Sequence, residues 1–164
     1  MPNLTEINSS EYTFNCSAVD EIICPKLTTL SGNYHVMNSP RYIKFPQLHE
    51  GYILYSDANL KTKTIILGDG SKDGVAGNIQ ILKGATNTYL TTLTVAEGFK
   101  ANLNLTGCNG LERDVLLGII NNLADLKGTE YEDKLQLTLG STLYGRLNDD
   151  DRKIATDKGW KVTG

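Results

Sequence analysis

The chain has 164 residues, of which 16 are basic and 19 acidic, giving a formal net charge of −3. This length fits one domain with a real core and is too short for two well-filled domains. Lys and Arg are not clustered and no apolar run is long enough to span a bilayer, so we expect neither a nucleic-acid partner nor membrane insertion.

The first segment, residues 1–18, is polar and predicts a flank that precedes the repeated part of the chain. It lacks a basic stretch followed by an apolar one, so no secretion signal is predicted. The three cysteines, Cys16, Cys24 and Cys108, form no C-x-x-C pair. We therefore expect buried thiols rather than a zinc site or a disulfide framework.

Residues 19–111 contain an internal repeat. The segment "EIICPKL" (21–27) superposes on "YIKFPQL" (42–48), and matching apolar pairs follow in "TIILGDG" and "TLTVAEG". Between them lie alternating segments, "YHVMN", "YILYS", "NIQILKG" and "NLNLTGC", each typical of a strand that leads into a turn. Each repeat therefore predicts two strands.

Stacked repeats would place four apolar side chains in one inward ladder: Ile22, Ile43, Ile65 and Leu93. The predicted fold class is mainly β, a leucine-rich-repeat-type β-solenoid of short strands. The alternative is a β-sandwich, whose short strands can show similar spacing. The proline repeated in phase, Pro25 and Pro46, favours the solenoid, because unrelated hairpins have no need to repeat it.

Residues 112–164 change to helical periodicity and predict a C-terminal cap. The segment 112–126 places apolar residues on one face at i, i+4 spacing, which predicts an amphipathic helix. A strand follows at 134–140, and a second helix is predicted with Asn148 as its N-cap and Gly159 at the C′ position, just after its last residue. Two C-terminal helices are therefore predicted to cover the open end of the solenoid, because unpaired strand edges need a cover.

The strand pairs and the closing segment carry a resemblance to a known family. The motif L-T-L-G, followed by a short helix and I-A-T-x-K-G-W, is similar to the closing segment of repeat proteins from gut bacteria and their phages. The strand pairs resemble BspA-like leucine-rich repeats, and the resemblance covers residues from about 19 to 164. It implies a strand-rich repeat fold and an adhesion or assembly role, as in tail-fibre or surface proteins, and it implies no catalytic residues.

The stretch "LGDGSKDGVAG" (67–77) raises the question of a metal site. Asp69, Ser71 and Asp73 fit the start of a calcium-loop pattern. The position that should supply a bidentate carboxylate is Gln80, however, and neither flank is helical. We therefore favour an inserted turn, and we predict no metal and no cofactor.

The candidate ligand-binding residues are mostly tyrosines. Tyrosine combines stacking area with a hydroxyl group that can meet sugar or peptide groups. Because side chains alternate along a strand, Lys44 is predicted to point outward from the sheet, and Tyr42 flanks it on the same strand. The predicted binding set is Tyr34, His35, Tyr42, Lys44, Tyr52, Tyr55 and Tyr89. The alternative is that these tyrosines are simply strand formers.

Three functions are compatible with these patterns. The leading hypothesis is a non-enzymatic binding module, a phage tail-fibre or bacterial surface protein that recognises a cell-surface glycan or protein, located on a virion or extracellular surface. The second is a structural virion or assembly component that acts through protein–protein contacts or self-association, docking through residues 1–18. The third, a small glycan-active enzyme, lacks a recognisable acid/base constellation.

Overall fold

A computed structural model of the chain describes residues 1–9, 14–15, 19–32, 36–37, 40–55, 61–84 and 86–164. The strands are β1 (Glu6–Ser9), β2 (Phe14–Asn15), β3 (Glu21–Ile23), β4 (Thr29–Gly32), β5 (Val36–Met37), β6 (Tyr42–Phe45), β7 (Glu50–Tyr55), β8 (Thr64–Leu67), β9 (Ser71–Lys72), β10 (Val75–Lys83), β11 (Thr92–Thr94), β12 (Ala101–Asn104), β13 (Gln136–Thr138) and β14 (Lys161–Thr163). The helices are α1 (Arg113–Asn122), α2 (Gly140–Tyr144) and α3 (Asp149–Asp157).

The strands form two sheets. The larger sheet has the order β1-β4-β7-β10-β12-β13-β14, with β2 and β5 beside this path and β9 antiparallel to β10. The smaller sheet has the order β11-β8-β6-β3. Apart from the β9–β10 hairpin, all strand pairs in the described residues are parallel.

The core lies between the two sheets. In the smaller sheet Ile22 pairs with Ile43, Ile43 with Ile65 and Ile65 with Leu93, which is the register that the repeat predicts. These side chains share one buried cluster with those of the larger sheet, and its largest fully buried members are Trp160, Phe45 and Phe99. The outward faces of the two sheets therefore lie on opposite sides of the molecule.

The predicted fold class, a leucine-rich-repeat-type β-solenoid with two C-terminal helices forming a cap, is wrong. The structure is an α/β fold with two parallel sheets and, in the described residues, three helices. Because β13 pairs in parallel with β12 and β14 with β13, the chain between these strands must cross over. Helix α1 lies in the first crossover and α2 and α3 lie in the second, so the helices connect strands of the sheet.

The helices also differ in extent from the sequence prediction. Helix α1 ends at Asn122 rather than near residue 126, because Leu123 turns to extended backbone and forms a bridge with Phe99. Helix α3 begins after Asn148 as predicted, and its capping box pairs Asn148 with Asp151. At the other end of the chain, residues 6–9 of the polar flank form β1, with Ile7 in the core.

Candidate functional site

The outward face of the larger sheet carries two polar rows, of which the first runs from β1 to β14 and the second is interrupted between β4 and β7. They arise because side chains alternate between the two faces of each strand, and the parallel register aligns equivalent positions. The first row is Glu6, Thr29, Glu50, Asn78, Asn102, Gln136 and Lys161, and its Gln136 N–H donates to the Asn102 side-chain oxygen. The second row has two parts, between which the described residues form no strand pair: Asn8 and Ser31, and then Tyr52, Gln80, Asn104, Thr138 and Thr163.

A groove in this face extends from β4 across β7 and β10 to β12. Strands β4 and β7 pair at Thr29 with Glu50 and at Leu30 with Gly51, and no further pair is formed between them. Gly51 has φ +125°, and a Cβ atom there would lie 2.0 Å from the carbonyl oxygen of Leu30, so this close approach requires glycine. Further along β7, Leu54 pairs with Val36 of β5 instead.

The groove has a volume of 440 Å³, and polar and apolar atoms contribute nearly equally to its surface. Its lining residues are Leu30, Ser31, Glu50, Gly51, Tyr52, Asn78, Gln80 and Asn104. Glu50 and Asn78 are exposed, whereas Tyr52 is half-buried. This combination gives a ligand a carboxylate, several amides and an aromatic ring within one concavity.

The amide side chains in the groove are oriented by the backbone. Gln80 Nε2 donates to the carbonyl oxygen of Leu82 at 2.9 Å, and Asn104 Oδ1 accepts from the backbone N–H of Thr106 at the same distance. Within the described part of the chain, the Gln80 side-chain oxygen and the Asn104 side-chain nitrogen have no protein partner. Each amide is therefore held in place with one hydrogen-bonding atom available to a ligand.

Titratable groups with shifted pKa values lie elsewhere in the molecule. Arg113 donates to the Asp151 carboxylate and lowers its pKa, and burial raises the pKa of Cys108 to about 12. Burial likewise lowers the pKa of Lys158, whose Nζ donates to the backbone carbonyls of Ile120, Asn121 and Leu123 at the end of α1. Arg113 and Asp151 connect α1 to α3, Lys158 binds the end of α1, and Cys108 lies in the core.

The structure does not bring the predicted binding residues together. Tyr42 and Lys44 lie on β6 in the smaller sheet, and Tyr89 is 55% exposed in the segment before β11. Tyr52 lies in the groove. Tyr55 is the last residue of β7, but its side chain is outside the described part, as are Tyr34 and His35 entirely. Of the predicted residues that are described, Tyr52 alone lines the groove.

Sequence reasoning missed the other polar residues of the groove. Ser31, Glu50, Asn78, Gln80 and Asn104 were not among the candidates. A usable signal was present, because the pairs Glu50/Tyr52, Asn78/Gln80 and Asn102/Asn104 repeat the same polar-x-polar spacing in successive strands. When neighbouring strands are aligned in register, these pairs lie side by side and predict a polar surface. The sequence of one strand alone does not indicate it.

The stretch 67–77 forms a hairpin. Ser71 and Lys72 pair with Ala76 and Val75, and the turn residues Asp73 and Gly74 both have positive φ, as a type I′ turn requires. Asp69 is engaged locally: one carboxylate oxygen accepts from the Ser71 N–H and the other from the Ser71 hydroxyl. The pattern of Asp69, Ser71 and Asp73, which fits the start of a calcium loop, is therefore explained by the formation of this turn.

A second concavity, of 700 Å³, borders the hairpin and includes Asp69, Asp73 and Glu97 in its lining. Within the described ranges, no group of three or more His, Cys, Asp or Glu side chains is placed to hold a metal ion. The groove is the stronger candidate, because most of its polar lining residues belong to rows that continue from β7 across the sheet to β14.

Comparison with known proteins yields no match: no family model, curated protein or solved structure is similar to this chain. The resemblance to BspA-like repeats therefore stays a prediction. None of the helices in the described part combines the length and apolar character needed to cross a membrane.

Proposed function

We propose that this protein is a non-enzymatic binding module that recognises a cell-surface glycan through the polar rows and groove of the larger sheet. The observation that supports this proposal best is that polar positions of both rows align across the parallel strands from β7 to β14, and that Thr29 and Glu6 continue the first row to β1. Neighbouring strands lie about 4.8 Å apart, so the face offers the same kinds of group at regular intervals. Such a surface suits a ligand that is itself extended and repetitive.

The chemistry of the groove favours a carbohydrate. Amides and hydroxyl groups both donate and accept hydrogen bonds, as do sugar hydroxyls. The Tyr52 ring supplies an apolar face on which a sugar ring can stack, and its hydroxyl gives it a polar end. Among the described groove residues Glu50 is the one carboxylate, and in the next strand Asn78 lies beside Glu50 and Gln80 beside Tyr52.

A setting on a phage tail fibre or bacterial surface belongs to the same proposal. It rests on the resemblance of the closing segment to repeat proteins of gut bacteria and their phages. In such a setting many copies act together, so weak individual sites can produce strong adhesion.

The direct test is binding of the purified, fluorescently labelled protein, displayed multivalently on beads, to a panel of intact gut bacteria. We expect strain-selective binding that competing surface glycans reduce. The double variant Asn78→Ala/Gln80→Ala should weaken binding at least about tenfold, which corresponds to about 1.4 kcal/mol.

The matched control is Thr92→Ala/Thr94→Ala, which removes two exposed polar side chains from the smaller sheet. This variant should bind like the unaltered protein. Failure of the folded protein to bind any strain, or equal losses in the two double variants, would count against the groove as the binding site.

The second candidate function is a structural component that acts through protein–protein contacts. It is favoured by the outer strands of the larger sheet, β1 and β14, each of which has a neighbour on one side within the described residues. Deleting residues 1–18 would not test it cleanly, because Ile7 in β1 belongs to the core. Point substitutions on these outer strands are therefore the better test.

A further inference from the structure

The two sheets differ in how their edges are covered. In the smaller sheet the N-terminal amine of Met1 donates to the Ile23 carbonyl oxygen at the β3 edge, at 3.1 Å. At the β11 edge, Asn122 Nδ2 donates to the Val95 carbonyl oxygen at 2.8 Å. In the larger sheet the described residues provide no such cover for β1 or β14. Uncovered edges are templates for pairing with another strand.

Within the described residues, the backbone groups of β14 that have no partner strand belong to Val162. The Lys161 N–H donates to the Leu135 carbonyl oxygen at 3.0 Å, and the Thr163 carbonyl oxygen accepts from the Leu139 N–H at 2.8 Å. Alternate residues of a parallel strand bond to opposite sides. The N–H and C=O of Val162 therefore point away from β13, toward the edge.

In the part of the chain that the structure describes, the backbone groups of β1 without a partner strand belong to Glu6 and Asn8. The Thr5 carbonyl oxygen accepts from the Thr28 N–H at 2.8 Å, so the odd-numbered residues of this segment face β4. By the same alternation, the backbone groups of Glu6 and Asn8 face outward. If β14 of another copy lay parallel to β1 at this edge, the Val162 N–H could donate to the Glu6 carbonyl oxygen. The Val162 carbonyl oxygen could accept from the Asn8 N–H.

The side chains of these two edges are complementary in the same register. Glu6 begins the first polar row and Lys161 ends it, so continuing the row from β14 into β1 places these opposite charges side by side. Val162, which is half-buried, would then lie beside the apolar Ile7. Pairing β1 with β1, or β14 with β14, offers no such match, because each edge carries charge of one sign.

The ends of the molecule also carry exposed apolar side chains. Helix α3 packs against β14 at one end and exposes Ile154. At the other end Met1 and Ile23 are exposed beside β3. An added copy would bring α3 toward this β3 edge, where both surfaces have apolar area to bury.

We propose that copies of this chain associate head to tail, with β14 of one copy adding to β1 of the next in parallel, so that Lys161 lies beside Glu6. This contact is heterologous and therefore builds open chains, or rings where the rotation closes. It would extend the two polar rows from one copy to the next. The proposal does not depend on what the groove binds.

Charge reversal provides the first test, by sedimentation velocity of the full chain over a range of concentrations. Glu6→Lys and Lys161→Glu should each weaken association about tenfold, because each places like charges side by side. The combined variant Glu6→Lys/Lys161→Glu should restore it. Lys72→Glu, in the hairpin away from both edges, is the control and should associate like the unaltered chain.

Blocking one edge at a time provides the sharper test. Asn8→Pro and Val162→Pro each remove one outward N–H, and proline is tolerated at such edge positions. Far-UV circular dichroism and thermal unfolding would verify that both variants fold; if either does not, the charge-reversal series decides alone. Each variant by itself should be monomeric. An equimolar mixture should form a 1:1 dimer and nothing larger, because each variant retains the edge that the other lacks.

Several results would overturn the proposal. One is an unaltered chain that stays monomeric up to millimolar concentration. Others are oligomers that both proline variants still form, and a mixture of folded, blocked variants that remains monomeric. Failure of the charge-swapped double variant to recover association would reject the Lys161–Glu6 register.

Discussion

Arg113 on α1 donates two hydrogen bonds to Asp151 on α3, from Nε at 2.9 Å and from Nη2 at 2.6 Å. Asp151 also accepts from the backbone N–H of Asn148 at 3.0 Å, which closes the capping box of α3. One buried carboxylate therefore both starts a helix and ties it to its neighbour. Bidentate arginine–carboxylate pairs are among the stronger hydrogen-bonded contacts in proteins.

Replacing this carboxylate should destabilise the protein in a pH-dependent way. The pKa of Asp151 is lowered chiefly by the hydrogen bonds from Arg113, so the ionised form is favoured in the folded state. Its contribution to stability is complete above its ordinary pKa of 3.8 and is lost as the pH falls through the lowered value. Asp151→Asn should therefore lower the Tm at pH 7, and the difference from the unaltered protein should shrink below about pH 3.8.

Thermal unfolding between pH 2 and 7 measures this effect. Asp157→Asn is the control, because Asp157 pairs with Lys153 on the surface and its pKa is also lowered. Its loss should lower the Tm by less at pH 7, since exposed pairs contribute little. A Tm difference for Asp151→Asn that is unchanged at low pH would contradict this explanation.

Gly51 and Gly118 should respond in opposite directions to alanine. At Gly51 the added Cβ would meet the Leu30 carbonyl oxygen at 2.0 Å with φ at +125°, so Gly51→Ala should destabilise by roughly 1–3 kcal/mol or more. Gly118 lies within α1 with no atom near the added Cβ, so Gly118→Ala should stabilise by up to about 1 kcal/mol. Urea unfolding measures both changes, and a stabilising Gly51→Ala would refute the close approach that shapes the groove.

The buried thiols should be unreactive in the folded protein. Burial raises the pKa of Cys24 and raises that of Cys108 to about 12, so neither forms thiolate near neutral pH. In a Cys16→Ser variant, labelling with Ellman's reagent at pH 8 should therefore await unfolding. Labelling in urea is the positive control, and rapid labelling of native protein would contradict the burial of these residues.

The register of the smaller sheet could be predicted from the sequence, whereas the fold class could not. Ile22, Ile43, Ile65 and Leu93 occupy equivalent positions in a repeat, and equivalent positions in stacked strands become neighbours. Periodicity also located an amphipathic helix after residue 111. It does not tell whether a helix caps a sheet or crosses over between two of its strands, because both leave one apolar face to bury.

The candidate site was only partly predictable for a related reason. Tyr52 was identified by its residue type, but Tyr42 and Tyr89 have the same type and lie elsewhere. What distinguishes Tyr52 is its place in a row, which depends on pairing between β7 and β10 and on the end of pairing between β4 and β7 after Gly51. Where that pairing ends is a property of tertiary structure and has no signature in the local sequence beyond the glycine.

The measurement that tests the binding face most directly compares Tyr52→Ala with Tyr42→Ala in the bead-binding assay. Both tyrosines are half-buried on strands, but one faces outward from the larger sheet and the other lies on the smaller sheet. We predict that Tyr52→Ala abolishes glycan-competed binding and that Tyr42→Ala leaves it intact. Loss of binding in Tyr42→Ala with full binding in Tyr52→Ala would place the ligand on the opposite face and contradict the account.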